Sequence, residues 1–160
     1  MERGRLVSIL IVLSSLLLPV CYARWSSIFL EFFGDWLVFP WWIYDPWYHA
    51  FLTPWYNGFW GVFGLLWTFP ILYTATTITL LANNELLRRG RESWEIGLSI
   101  ASIVFIIQTV WPILVFLVFS DVSTPWPSIW VNPIIPMPLS SAVALIGSAW
   151  IHTERRTTQS

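Results

Sequence analysis

Four stretches of this chain, Leu6–Ala23, Phe59–Ala82, Ile96–Phe119 and Ile134–Ile151, contain no Asp, Glu, Lys or Arg. No other feature constrains the fold as strongly. At about 1.5 Å of rise per residue, the middle two would make roughly 36 Å of helix and the outer two roughly 27 Å. The hydrocarbon core of a bilayer is about 30 Å thick. The sequence therefore predicts an all-α integral membrane protein: a four-transmembrane-helix bundle over 6–23, 59–82, 96–119 and 134–151, forming a single membrane domain. Composition agrees, with 11% charged residues and a mean hydropathy of +0.65, where a soluble domain carries about 25% charged residues.

Orientation follows from the basic residues, all of which are arginine. Arg3 and Arg5 precede the first stretch, Arg88, Arg89 and Arg91 separate the second from the third, and Arg155 and Arg156 follow the fourth. With both termini cytoplasmic, only Arg24 falls outside, as the positive-inside rule expects. An odd number of crossings would break this agreement. A fifth crossing at Ile28–Tyr44 would also bury Glu31 and Asp35, which is costly at mid-membrane. Residues 1–23 also have the build of a secretory signal, with Ala23 as the small residue at a cut; the uncleaved anchor is the reading carried forward. No basic or acidic run points to a nucleic acid, and the single Cys21 cannot form an internal disulfide.

The predicted outer loops, 24–58 and 120–133, with Trp60 at the border, hold nine of the thirteen tryptophans. An outer aromatic layer built from Trp36, Trp41, Trp42, Trp47, Trp55, Trp126 and Trp130 is expected. Within it Ser27, Glu31, Gly34 and Asp35 recur at helical spacing among apolar neighbours, the pattern of a short helix lying in the interface. Asp45-Pro46 and Thr53-Pro54 read as helix caps followed by proline at the first helical position. The prolines between Ser123 and Pro138 predict extended or turned chain. Between Asn83 and Glu95 the sequence predicts a tight polar turn in which Gly90 ends one helix and Ser93 caps the next.

Small residues predict where helices approach. Gly61 and Gly64, Gly97 and Ala101, and Ser140, Ala144, Gly147 and Ser148 allow close backbone contact, within the chain or with another subunit. Gln108 lies near the middle of the third predicted helix, one turn before Pro112; Thr68 and Pro70 lie at similar depth in the second. Each proline frees a carbonyl one turn earlier that a hydroxyl or amide can satisfy. The cluster reads either as a kink with interhelical hydrogen bonds or as a polar path.

Chemistry-bearing constellations are sparse. His49 one turn from Asp45 is a weak metal pair, and no cofactor is expected. No serine sits in a nucleophile elbow, and no phosphate loop is present. Gly64-Leu65-Leu66-Trp67 resembles a motif of the claudin-type junction proteins. The paired extracellular cysteines that accompany it there are missing, and the motif falls inside a predicted helix, so no family membership is read from it. The expected function is a non-catalytic accessory subunit or scaffold of a membrane complex. It would use the bilayer and other membrane subunits, or self-association, as partners. The alternatives are a small oligomeric channel or permease for a neutral solute, and a membrane enzyme subunit with its site at the outer rim near Asp45 and His49.

Overall fold

A computed structural model of the protein describes residues 3–27, 32–40, 43–45, 50–52, 68–122 and 129–159. It contains helices α1 (Arg3–Leu17), α2 (Thr68–Arg89), α3 (Trp94–Val122) and α4 (Leu139–Gln159), and strands β1 (Cys21–Ser27), β2 (Phe32–Val38), β3 (Ile43–Asp45), β4 (Ala50–Leu52) and β5 (Ile129–Pro136). The helices pack on one another, α1 against α2 and α4, and α3 against α2 and α4. The five strands form one antiparallel sheet in the order β4-β3-β2-β1-β5.

Two expectations are corrected. Among the described residues only one helix, over Trp94–Leu117, is long and apolar enough to cross a membrane, so a bundle of four transmembrane helices is not supported. Charge-free length overstates the apolar helix in the first and fourth stretches. The first stretch leaves the helix at Leu17, before Pro19, and enters β1 at Cys21. Pro133, Pro136 and Pro138 keep the start of the fourth stretch extended, and the apolar part of α4, Leu139–Thr153, is short. In the second stretch the described helix runs over Thr68–Arg89, past the expected end at Ala82, and residues 59–67 lie outside the described residues. Pro70 thus lies in its first turn, where a missing N–H costs nothing, and the polar residues Asn83 to Arg89 join the helix.

The interfacial helices are also corrected where the chain is described; Glu31, Pro46 and the Thr53-Pro54 start lie outside the described residues. The segment read at helical spacing around Gly34 and Asp35 is β2, and Asp45 closes strand β3 instead of capping a helix. Aromatic and β-branched side chains suit a half-buried pleated surface, and here the period-2 pattern wins. Cys21, Ala23 and Val38 are buried under the sheet, while Tyr22 and Arg24 alternate with them on the other face. Arg24 stands directly opposite Asp35 in the β1–β2 ladder, a favourable cross-strand pairing of opposite charges.

Two cores hold the molecule together. At the junction of sheet and helices, Cys21, Ala23 and Val38 pack with Phe69, Tyr73, Val115 and Phe116, with Trp36, Trp111 and Ile134 at the margin. Deeper between the helices lie Val7, Ile11, Leu80, Ala101, Val104 and Ala144. The turn between α2 and α3 ends in a Schellman motif. Gly90 adopts φ 70°, its N–H donates to the Leu87 carbonyl, and the Arg91 N–H donates to the Leu86 carbonyl. Glycine takes that left-handed conformation without steric cost.

Candidate functional site

The buried face of α2 carries Phe69, Tyr73, Thr76, Leu80, Asn83, Asn84 and Leu87, one helical stripe that presents polar groups to the other helices. At its centre is Gln108 of α3, fully buried. Its Nε2 donates to Thr76 Oγ1 at 3.0 Å, and its Oε1 accepts from Ser140 Oγ at 3.0 Å and Ser141 Oγ at 2.9 Å, joining α2, α3 and α4 through one side chain. The carbonyl of Gln108, left without its helical donor by Pro112, accepts from the Tyr73 hydroxyl at 3.1 Å. Thr68 Oγ1 at the start of α2 accepts from Trp111 Nε1 at 3.0 Å. Towards the far end of α2, Asn83 Nδ2 donates to the Gly97 carbonyl, and Asn84 Nδ2 donates to the Gly4 carbonyl and to Ser8 Oγ.

The small residues lie inside these interfaces. Ala101, Ser140, Ala144 and Ser148 are buried. A Cβ added at Gly97 would meet a Leu87 methyl at 2.6 Å, and one added at Gly147 would meet Val7 Cγ1 at 2.4 Å. The described small faces are thus occupied by this chain's own helices. Gly61 and Gly64 lie outside the described residues.

Of the aromatic layer, Trp36 packs beneath the sheet with its ring 6.4 Å from that of Phe116, and Trp130 sits in β5 opposite Ser26. Trp41, Trp42, Trp47, Trp55 and Trp126 lie outside the described residues, as does His49. Among the described residues no group of three His, Cys, Asp or Glu could hold a metal ion.

On the outer face of the sheet, Tyr22 Oη donates to Asp35 Oδ1 at 2.6 Å and Arg24 Nε donates to the same oxygen at 2.8 Å. These two donors, Arg24 first, hold the Asp35 carboxyl below its ordinary 3.8. Because the folded value is depressed, the cluster stabilises the fold above pH 3.8, and that contribution disappears as pH falls through the folded value. The pair is half exposed, so the stability at stake is small. NMR titration of Asp35 should read below the ordinary carboxylate range and move up towards it in Arg24→Gln. An unmoved value would mean that Arg24 does not hold this carboxylate.

The opposite end of the helical body is basic and aromatic. Arg88 donates through Nε and Nη2 to Glu85, which also accepts from Arg89 Nε. The Arg3 guanidinium lies 5.1 Å from the centroid of Trp150, and the rings of Trp94 and His152 stack at 4.6 Å.

Sequence reading singles out Gln108, Pro112, and Ser140 and Ser148 of α4 but misses Tyr73, Asn83, Asn84 and Ser141. A signal was present. Thr76, Asn83 and Leu87 stand at positions i, i+7 and i+11, with Tyr73 and Leu80 on the same stripe, which marks a buried helix face. In comparisons with known proteins, no family model matches the chain, and neither a curated protein nor a solved structure matches it.

Proposed function

We propose that this chain is a non-catalytic membrane-embedded protein, a structural or accessory part of a membrane assembly. One observation carries the reading: alongside the apolar cores, uncharged polar side chains are buried between the helices, while the outer helix faces are apolar. Gln108, Asn83, Asn84, Thr76, Ser140, Ser141 and Ser148 are buried between helices, while Ile9, Leu13, Ile71, Ile78, Ile103, Ile106, Leu117 and Ile146 are exposed, Ile71 and Ile146 by about 70%. Single exposed apolar residues are ordinary on soluble proteins; contiguous apolar faces mark a site that contacts lipid or protein. Lipid rewards this distribution, since interhelical hydrogen bonds and close packing replace the hydrophobic drive there. The reading requires lipid contact along the outer helix faces and α3 as the segment long enough to cross; it specifies no further crossing.

The accessory role is supported by where the polar groups go. Gln108 spends its amide on three hydroxyls of neighbouring helices, which favours a structural hub over a solute path. With the described small faces used internally, contacts to other subunits fall to the sheet end, where Tyr22, Arg24, Asp35, Leu37 and Ile135 share the outer face. Isolation from native membranes tests both parts. The chain should resist alkaline carbonate extraction, require detergent, and travel with other polypeptides in mild detergent. Release by carbonate would overturn the membrane reading; a lone monomer that resists carbonate would overturn the accessory role alone.

A further inference from the structure

We propose that the arginine-bearing end of the helical body binds an anionic phospholipid, its phosphate held at Arg5 and one acyl chain laid along Ile9, Leu13 and Leu16. The inference rests on the membrane reading above and adds a ligand class to it. Arg5, Ile9, Leu13 and Leu16 stand at i, i+4, i+8 and i+11 on α1, and all four are exposed. From Arg5 to Leu16 the helix rises roughly 16 Å, close to the half-thickness of about 15 Å of a hydrocarbon core. A basic head followed by one leaflet's depth of unbroken apolar surface has the shape of a single phospholipid. On α2 the corresponding line from Arg89 through Leu86, Ile78 and Ile71 is interrupted by exposed Thr74 and Thr79.

Charge favours an anionic headgroup. Among the described residues, Arg3, Arg5, Arg88, Arg89, Arg91, Arg155 and Arg156 stand at this end of the four helices, with Glu85, Glu92, Glu95 and Glu154. Among the described residues the sheet end has the opposite balance, Arg24 with Asp35, Asp45 and Asp121. Guanidinium groups match phosphate oxygens in a planar fork. The indoles of Trp94 and Trp150 supply the amphipathic rings that favour headgroup depth. A soluble phosphate would use the arginine but gain nothing from the leucine stripe, and that difference separates the two ligands.

The test uses the full chain in mild detergent, offered equal amounts of phosphatidylglycerol and phosphatidylcholine with the same acyl chains, with bound lipid read by native mass spectrometry. Phosphatidylglycerol should be retained about five-fold over phosphatidylcholine for each arginine engaged. Arg5→Gln should reduce that preference about five-fold, Arg5→Lys should keep most of it, and Leu13→Asn should weaken retention of both lipids. Arg24→Gln, at the sheet end, should change nothing. Equal retention of the two lipids by a chain that enters phosphatidylcholine vesicles would overturn this inference and leave the membrane reading standing. So would competition by inorganic phosphate as effective as that by phosphatidylglycerol. A chain that does not enter phosphatidylcholine vesicles would overturn both.

Discussion

Gly147→Leu should lever α1 away from α4 and lower unfolding stability by about 3 kcal/mol, the upper end of what overpacking costs. A Cβ at this position would lie 2.4 Å and 2.8 Å from the two methyls of Val7 and 3.2 Å from its Cβ. Valine cannot swing clear, because its branched Cβ leaves one strongly preferred χ1 rotamer in a helix, and Val7 is buried in the central core. The backbones must separate instead, and the core formed by Val7, Ile11 and Ala144 opens with them. Gly147→Ala should cost less, and Val7→Ala in that background should recover part of the loss, a coupling that a double-mutant cycle reads directly. Gly97→Ala makes a useful contrast: its nearest obstacles are the methyls of Leu87, a side chain with a second torsion to turn, and about 1 kcal/mol is expected. Chemical unfolding in detergent measures all of these. A Gly147→Leu protein as stable as its parent would show that α1 and α4 are not packed through Val7 and Gly147.

The second large effect is expected at Gln108. Gln108→Leu keeps much of the volume and removes three hydrogen bonds. Ser141 can turn its single hydroxyl hydrogen to the Pro138 carbonyl at 2.9 Å, and Thr76 Oγ1 still donates to the Tyr73 carbonyl at 3.2 Å. Ser140, which donates to Gln108 Oε1, is the hydroxyl left buried with its bond broken. An orphaned buried polar group costs about 1–3 kcal/mol, whereas an interhelical hydrogen bond in lipid averages about 0.6 kcal/mol. The penalty for the orphan therefore dominates, and a loss of about 2 kcal/mol is expected. Adding Ser140→Ala should restore roughly half, because removing both partners is less costly than removing one. Unchanged stability together with altered solute flux in liposomes would instead make Gln108 part of a permeation path.

How far the fold could be read depended on which forces are local. The turn at Gly90 is legible because its determinants lie within a few residues: a glycine that accepts positive φ, arginines in the last turn of α2 and serine ahead of α3. Gln108 and Pro112 are legible for the same reason, since the carbonyl that a proline frees is one turn away in the sequence. The sheet was not. Read alone, residues 27–39 fit a helical spacing of polar residues as well as a strand alternation. The strand is chosen only when β1 lies alongside it, with Arg24 opposite Asp35 and Ala23 opposite Trp36. The donor for the Gln108 carbonyl is equally non-local, a tyrosine 35 residues away on another helix.

By itself the sequence determined that this chain is more apolar and poorer in charge than the average soluble domain, that its arginines separate into groups at the ends of its apolar stretches, and that small residues mark where helices come close. Those properties are set by composition and short-range spacing. Tertiary structure alone decided that the first and fourth apolar stretches are only partly helical, that 21–27, 32–38, 43–45 and 50–52 pair as strands, and that Val7, Leu87 and Tyr73 are what Gly147, Gly97 and Gln108 meet. Pairing across a sheet and packing between helices depend on partners distant in sequence, and no local pattern names them.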